Sequence, residues 1–358
     1  MAELSAEKSM LTFVTTNECS ARCRHCLMLS SPKRHEKLDY AFMKKAIDEV
    51  AVPQHKRLIV FTGGESTRLG NELYDTIAYA NSLGLGTRLV TNAEWAVNDK
   101  QAGTVIDTLN ECGLNELNIS YDDFHAEFIP LNHVVRAWKT AEDRGRFNAI
   151  AFAVCSGPIS KVTPESLMSA IGEYIPLVYD EQGNELSLPE RKPGETRKLI
   201  SNSRILRLGR GRKLDIRYCK IPDQQLIEQT PCPADNRQPV FMPSRHRCAC
   251  CGINPEFNKV LDLDTEVSEH FRDVRTLLLR AIGEFGPGYL MGLVKKARPD
   301  IRFRDKYSGI CEICSDVTRS QECLRILADN KQRIIEDLKA LELIRKASDA
   351  EEAAGRHE

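Results

Sequence analysis

The sequence lacks the features that mark several broad protein classes. Charge of neither sign is in excess, because 50 Lys and Arg residues face 51 Asp and Glu residues. Aromatic residues make up 6% of the chain, with two Trp. A globally basic or aromatic-rich surface for nucleic acid is therefore not indicated, which argues against a nucleic-acid partner. No run approaches the ~18 apolar residues of a membrane span, so no membrane partner is expected.

The first ten residues, MAELSAEKSM, contain no apolar run, and we expect no signal peptide there. The chain is rich in cysteine, with 13 among 358 residues. An odd number cannot pair completely within one chain, and a chain of this length does not need disulfides for stability. We therefore expect a cytoplasmic protein with reduced cysteines, in which clustered cysteines indicate metal binding or catalysis.

Short apolar runs alternate with amphipathic stretches over the first half of the chain, with a period of about 30 residues. The predicted strands are Leu11–Thr16, Arg57–Phe61, Gly86–Thr91, Glu116–Tyr121 and Phe147–Val154. The predicted helices are Leu38–Val50, Glu72–Leu83, Asn98–Cys112, Leu131–Arg144 and Pro164–Tyr174. This alternation predicts an α/β fold with a parallel sheet, either doubly wound or a barrel. In both folds, chemistry gathers at the carboxyl ends of the strands.

The alternation fades after Pro176. Pro231–Pro255 is rich in Pro and Cys, and little regular structure is expected there. Helices are predicted at Val267–Lys296 and Cys323–Ala347. The expected organisation is an extension at 1–10, a core at 11–225, a cysteine-rich metal or cluster domain at 226–325, and a helix with a tail at 326–358.

Three cysteines, Cys19, Cys23 and Cys26, follow the first predicted strand with the spacing C-x3-C-x2-C. Three thiolates this close in one loop can converge on one point. A structural Zn site needs four ligands, and no fourth lies close by in the sequence, whereas three thiolates on a 4Fe-4S cluster leave one iron open to an amine and a carboxylate. A Zn knuckle or three unrelated thiols remain the alternatives. His25, between two of the cysteines, is expected to point elsewhere.

The segment Cys19–Cys26, CSARCRHC, resembles the signature loop of the radical S-adenosylmethionine (SAM) enzymes, and the resemblance covers roughly residues 10–215. It implies a partial (β/α)6 TIM-type barrel with a smaller, cysteine-rich and mainly helical C-terminal domain. The implied cofactors are a 4Fe-4S cluster and SAM, with a reductant such as flavodoxin or ferredoxin. The implied reaction is reductive cleavage of SAM to a 5′-deoxyadenosyl radical, which takes a hydrogen atom from a substrate.

Gly63, Gly64 and Glu65 follow the second predicted strand in the motif TGGE. Two glycines allow a sharp turn and a close approach of the backbone. The resemblance implies that this motif contacts the amino group of SAM. A plain turn is the alternative, and Ser66 stands where the family usually has Pro.

Polar residues also end the third and fourth predicted strands. The resemblance implies that Asn92 and Ser120 contact the ribose or methionyl part of SAM. It also implies that Asp122 and Asp123 either contact this part of SAM or face the substrate. Helix capping is the alternative for all four residues.

Two further residues are candidates for the site. His125 can shuttle a proton or bind substrate, against a capping or surface role. Arg210, in the motif LGRG, can pair bidentately with the carboxylate of SAM, against a place in a basic solvated loop.

A second group of cysteines lies in the C-terminal third of the chain. Its members are Cys248, Cys250, Cys251, Cys311 and Cys314, and Cys232 and Cys323 can join them. Four thiolates suit a Zn site or a second, auxiliary 4Fe-4S cluster equally well. The layout resembles the SPASM and twitch domains appended to radical SAM enzymes. Thiols without metal are the third possibility.

The cysteine-rich region favours a peptide substrate, as in maturases of ribosomally made peptides. A small molecule or tRNA is the alternative substrate. The rival from another class is a non-catalytic Zn or iron–sulfur protein that binds a partner or transfers electrons.

Overall fold

The structure is a computed structural model, and the residues that it describes are 9–180, 183–188, 190, 192, 194–232, 238–250 and 274–354. The chain divides into two compact units. The described residues of the first lie within 9–220 and 238–250, and those of the second within 221–232 and 274–354. This division differs from the expected domain at 226–325, because residues 238–250 contribute two strands to the sheet of the first unit.

The first unit is built on an eight-stranded sheet with the order β6-β5-β4-β3-β2-β1-β7-β8. Its strands are β1 (Met10–Val14), β2 (Leu58–Thr62), β3 (Gly86–Thr91), β4 (Glu116–Ser120), β5 (Ala149–Ser156), β6 (Arg197–Arg204), β7 (Val240–Phe241) and β8 (Arg247–Cys248). Neighbours from β1 to β6 pair in parallel, β7 pairs in parallel with β1, and β8 pairs antiparallel with β7. The predicted α/β fold with a parallel sheet is confirmed.

Helices connect these strands. They are α1 (Tyr40–Ala46, continued by a π-helical turn at Ile47–Ala51), α2 (Asn71–Ser82), α3 (Asp99–Glu111), α4 (Asp123–Ala126), α5 (Leu131–Arg144) and α6 (Pro164–Ile171). Their starts follow local rules: the Asp39 and Asn98 side chains accept hydrogen bonds from backbone N–H groups of the first turn, and Thr163 begins a capping box.

The core of the first unit lies between the sheet and these helices. Phe13 on β1 stacks on Phe61 of β2 with ring centroids 5.9 Å apart. Trp138 on α5 stacks on Phe152 of β5 at 4.3 Å. Burying such large side chains contributes ~1.5–3 kcal/mol each, which fixes the strands and therefore the positions of the loops at their carboxyl ends.

Two parts of the sheet differ from the sequence-based expectation. Strand β6 lies at one end of the sheet, and Ile200 is its one fully buried residue, so no apolar pattern marked it. Strands β7 and β8 lie within Pro231–Pro255, where little regular structure was expected. Each is only two residues long, and β7 is held by its pairing with β1, which is remote in sequence.

The second unit is helical in its described residues. Its helices are α7 (Gln224–Gln229), α8 (Val274–Phe285), α9 (Pro287–Ala297), α10 (Ile310–Arg319), α11 (Gln321–Asp329) and α12 (Lys331–Ala354). Residues 267–273 of the predicted helix Val267–Lys296 lie outside the described residues. Its described part is divided, because Gly286 has a φ of +84° and Pro287 starts a new helix. Predicted helix Cys323–Ala347 is likewise divided at Asn330. No single helix in the described part of the chain is long and apolar enough to cross a membrane.

Candidate functional site

The three N-terminal cysteines lie in the loop after β1, which we call the cluster loop (residues 15–31). Cys19 and Cys23 are 7% and 6% exposed, and Cys26 is half-buried. The loop turns on itself, because the Cys26 N–H donates to the Cys23 carbonyl at 3.1 Å and the Ala21 N–H donates to the Cys19 Sγ at 3.4 Å. This fold of the loop places three thiols in one small region.

Burial raises the pKa of Cys19 to about 12. Burial also raises the pKa of Cys23, and the neighbouring Asp122, Cys19 and Cys26 raise it further. The thiols are therefore close enough to sense one another's charge. Since metal ligation needs thiolates, binding of a metal or cluster here would release protons.

The two glycines after β2 lie against the cluster loop. The Gly64 N–H donates to the Thr16 carbonyl at 2.6 Å, and the Glu65 N–H donates to the Glu18 carbonyl at 2.8 Å. A Cβ on Gly64 would lie 1.9 Å from the Glu18 carbonyl oxygen, and one on Gly63 would lie 2.6 Å from that of Thr16. Glycine is thus required for the close approach of two backbones.

Glu65 joins the ends of β2 and β3. Its fully buried carboxylate accepts hydrogen bonds from the Asn92 N–H at 2.8 Å, the Thr91 hydroxyl at 2.8 Å and the Thr67 hydroxyl at 2.7 Å. Burial raises its pKa, although these hydrogen bonds act in the opposite direction. Next to it, the buried Ser66 accepts a hydrogen bond from the Thr15 hydroxyl at 2.9 Å, so the serine contacts the start of the cluster loop.

Asn92 connects the end of β3 to a predicted metal ligand. Its Nδ2 lies 3.5 Å from the Cys19 Sγ and 3.4 Å from the Ser20 hydroxyl. Such a donor would orient the sulfur and stabilise its thiolate form. Ser120 is the last residue of β4 and is half-buried.

Asp122 lies between two histidines. Its Oδ1 accepts hydrogen bonds from the Phe124 and His125 N–H groups at 2.9 and 3.1 Å, so the capping alternative holds for this residue. Its carboxylate also lies 3.2 Å from the His25 Nε2 and 3.0 Å from the His125 Nδ1. The three side chains form one compact group, and their potential ligand atoms all lie within 4.8 Å of one another.

Charge and burial oppose each other in this group. Burial alone would raise the pKa of Asp122, but His125 and His25 outweigh it and hold the pKa well below its usual range. Burial alone would lower the pKa of His125, but Asp122 outweighs it and raises that pKa. His25 was expected to point away from the site, and its place between two cysteines was the signal that could have indicated its role.

Asp123 and Arg210 bind backbone groups within the first unit. The Asp123 carboxylate accepts hydrogen bonds from the Lys161 and Val162 N–H groups at 3.0 and 2.7 Å, in the loop after β5. The Arg210 guanidinium donates to the carbonyls of Cys23 and Ser30 at 2.7 Å each. Both side chains therefore support loops around the site.

Part of the first unit is similar to known proteins. Residues 13–151 match the Radical SAM superfamily. The chain contains a radical SAM domain. Sequence similarity extends to the putative peptide biosynthesis protein YydG of Bacillus subtilis strain 168, with 28% identity over 117 residues. That alignment covers 32% of this chain and 35% of YydG, so it spans about a third of the relative.

Solved structures of low identity are also similar. BtrN in complex with AdoMet and 2-DOIA has 12% identity and a TM-score of 0.42, covering 78% of this chain and 89% of that chain. Native anSMEcpe with bound AdoMet and Cp18Cys peptide has 12% identity and a TM-score of 0.47, covering 93% and 99%. The match over residues 13–151 supports the predicted family, and a 4Fe-4S cluster and SAM are the cofactors that a radical SAM domain implies.

The second cysteine group is divided between the units. Cys248 on β8 is buried and packs with Val14 and Val240 in the first unit, which also contains Cys250. Cys251 lies outside the described residues. Cys311 and Cys314 lie on α10 of the second unit. The predicted set of five thus remains a prediction.

The second unit adds Cys232 to the cysteines of α10. Burial raises the pKa of Cys314, and the charges of Cys311 and Cys232 raise it further. Between the two helical cysteines, the fully buried Glu312 forms an ion pair with Arg304 at 3.0 Å. Arg304 also pairs with Asp316 one turn later at 2.8 Å, which fixes the helix that carries the cysteines.

Proposed function

We propose that the protein is a radical SAM enzyme in which Cys19, Cys23 and Cys26 bind a 4Fe-4S cluster and leave one iron for SAM. The observation that carries the proposal is the placement of three cysteines, two buried and one half-buried, in one loop that lies against the glycine turn after β2. When bound, the cluster supplies the electron that cleaves SAM to methionine and a 5′-deoxyadenosyl radical. A three-thiolate set with an open position suits this chemistry and is one ligand short of a closed zinc site.

The surrounding residues prepare the site. Asn92 donates to the Cys19 sulfur, and Glu65 holds Asn92 in place through its backbone N–H. We propose that Gly63, Gly64, Asn92 and Ser120 also line the SAM position, since they lie at the carboxyl ends of β2, β3 and β4. Cys19 and Cys23 are buried, and the exclusion of water from such a site protects a reactive radical.

Asp122 and His125 are proposed to orient the substrate. They lie at the end of β4, next to His25 of the cluster loop, and His125 keeps 16% of its side chain exposed. Asp123 is left out of this proposal, because its carboxylate binds the backbone after β5.

A peptide is the proposed substrate class. The support is the sequence similarity to YydG, whose name describes it as a putative peptide biosynthesis protein. A reductant such as flavodoxin or ferredoxin is the proposed electron donor. A reducing compartment such as the cytoplasm is proposed because the twelve described cysteines form no disulfides among themselves.

The second cysteine group is proposed to form an auxiliary metal site. Cys311, Cys314 and Cys232 are its best-supported ligands, because all three belong to the second unit and both Cys311 and Cys232 raise the pKa of Cys314. Cys248, Cys250 and Cys251 are the other predicted members. Iron–sulfur and zinc both fit thiolate ligands.

The test of the proposed function is SAM cleavage by anaerobically reconstituted protein. With dithionite and SAM, the protein should form 5′-deoxyadenosine in an amount at least equal to the enzyme, measured by mass spectrometry. A protein that binds zinc or iron but leaves SAM intact would support the non-catalytic rival and overturn the proposal.

A further inference from the structure

The Arg210 side chain spans two peptide carbonyls of the cluster loop. Its Nη1 donates to the Cys23 carbonyl and its Nη2 to the Ser30 carbonyl, both at 2.7 Å. Cys23 and Arg210 are 187 residues apart in the sequence. Two of the five guanidinium N–H groups therefore bind carbonyls of the cluster loop, whereas the role predicted from the sequence was bidentate pairing with the carboxylate of SAM.

The backbone around Arg210 lies against the same loop. The Arg210 N–H donates to the Cys26 carbonyl at 3.0 Å. Gly209 has a φ of +52°, and a Cβ there would lie 2.3 Å from the Leu27 carbonyl oxygen. A Cβ on Gly211 would lie 3.3 Å from the His25 Cα. The backbone of the motif LGRG (residues 208–211) is therefore in close contact with the backbone of the cluster loop.

The cluster loop needs such support because its own structure is irregular. Within it, backbone hydrogen bonds link Cys26 to Cys23, Cys19 to Ser31 and Ser31 to Asn17. A loop without helix or sheet loses more conformational freedom on ordering than its few internal bonds offset. Three donors from one short segment reach the carbonyls of Cys23, Cys26 and Ser30, so they fix the loop on both sides of the third cysteine.

We propose that Arg210 is a positioning residue that holds the cluster loop in the geometry required for cluster binding. This inference rests on the proposed function, because it takes Cys19, Cys23 and Cys26 as cluster ligands. Arginine suits the role, since its planar fork can bridge two carbonyls, whereas lysine carries the same charge on a single nitrogen.

The experiment compares Arg210→Lys with Lys213→Gln. Lys213 is an exposed residue of the same 3-10 helix, Gly209–Lys213. Arg210→Lys keeps the charge and removes the fork, whereas Lys213→Gln removes a charge and leaves the fork. After anaerobic reconstitution, an iron chelator is added and loss of the visible cluster absorbance is followed. We expect loss about 10-fold faster in Arg210→Lys, the lower end for removing an outer-shell partner, and an unchanged rate in Lys213→Gln.

The thermal midpoint of the cluster-free protein separates positioning from general stability. Because opening of one loop does not unfold the sheet, this midpoint should be the same in Arg210→Lys and in the unmodified protein. Equal rates of cluster loss in Arg210→Lys and unmodified protein would overturn the inference. Faster cluster loss in Arg210→Lys together with a lowered thermal midpoint of its cluster-free form would also overturn the inference. Unmodified protein that takes up no cluster would instead overturn the proposed function.

Discussion

The two cysteine groups of this protein differ in how their positions are determined. Cys19, Cys23 and Cys26 share one loop after a buried strand, and side chains from three other strand ends or loops support that loop: Asn92, Asp122 and Arg210. The second group is spread from residue 248 to residue 314, and its members belong to two compact units.

This difference shows what short spacing contributes to a metal site. Cysteines a few residues apart converge wherever the loop is placed, because the chain between them is too short to separate them. Cysteines about 60 residues apart converge only if the packing of whole elements brings them together. In the second unit, packing brings Cys232 towards Cys311 and Cys314, although Cys232 is nearly 80 residues away in sequence.

The largest effect should come from the first group. Cys23→Ala should reduce 5′-deoxyadenosine to background, because two thiolates do not hold a cluster with one open iron. Product is measured by mass spectrometry and iron by colorimetry. The matched control is Cys112→Ala, which replaces a buried cysteine at the end of α3. This variant should bind its cluster as the unmodified protein does. Full SAM cleavage by Cys23→Ala would contradict the assignment.

A smaller effect on SAM cleavage should come from the second group. The double variant Cys311→Ala/Cys314→Ala should lose the auxiliary metal, with iron falling from about eight to about four atoms per chain, or with loss of one zinc. Cleavage of SAM should remain, because the first group is intact. Cys323→Ala, a buried cysteine of α11, is the control. Unchanged metal content in the double variant would show that α10 binds no metal.

The hydrogen bond from Asn92 to Cys19 should raise the reduction potential of the cluster. Asn92→Ala should lower the reduction potential by about 20 to 60 mV, because a hydrogen bond contributes ~0.5–1.5 kcal/mol and 59 mV corresponds to a tenfold change for one electron. The potential is measured without SAM by EPR-monitored titration. Asn98→Ala, at the start of α3, is the control. An unchanged potential in Asn92→Ala would show that the amide does not act on the sulfur.

The smallest effect concerns stability away from both cysteine groups. Lys198 on β6 lies between Glu142 and Glu173, with 2.7 Å to the latter. Burial alone would raise the pKa of Glu173, but the Lys198 ammonium outweighs it and lowers the pKa from its usual 4.5. The stabilisation of the folded state by the Lys198–Glu173 ion pair is therefore complete above pH 4.5. It is lost as the pH falls through the lowered pKa of Glu173.

Glu173→Gln should accordingly reduce the free energy of unfolding by ~0.2–1 kcal/mol at neutral pH, and the difference should vanish in acid. Chemical denaturation across this pH range measures it, with Asp143→Asn on helix α5 as the exposed control. Iron content should not change. A deficit that persists at low pH would show that the ion pair is not its cause.

The sequence predicted the parts of the site that depend on local pattern. Strands β1 to β5 and helices α1, α2, α3, α5 and α6 have regular apolar spacing, so their order and the loops after them could be predicted within a few residues. The four-residue helix α4 was not predicted, because it is too short to show such spacing. The cysteine spacing and the TGGE motif then indicated where the site would lie.

Side-chain partners could not be predicted in the same way. Arg210 was assigned to a ligand, yet its acceptors lie on a loop 187 residues away. Glu65 was also assigned to SAM, and its carboxylate bonds to the end of β3. Each residue type suits both roles, and only the packed backbone distinguishes them. The division at Gly286 and Pro287 was different, since that dipeptide was itself a visible signal.

The most direct test of the central claim is electron–nuclear double resonance on the reduced cluster with SAM labelled with ¹⁷O in its carboxylate and ¹⁵N in its amino group. If three cysteines leave one iron open, both labels should couple to the cluster spin in unmodified protein. A cluster that shows no coupling to either label, while SAM is bound, would mean that the fourth iron already has a protein ligand and would contradict the account.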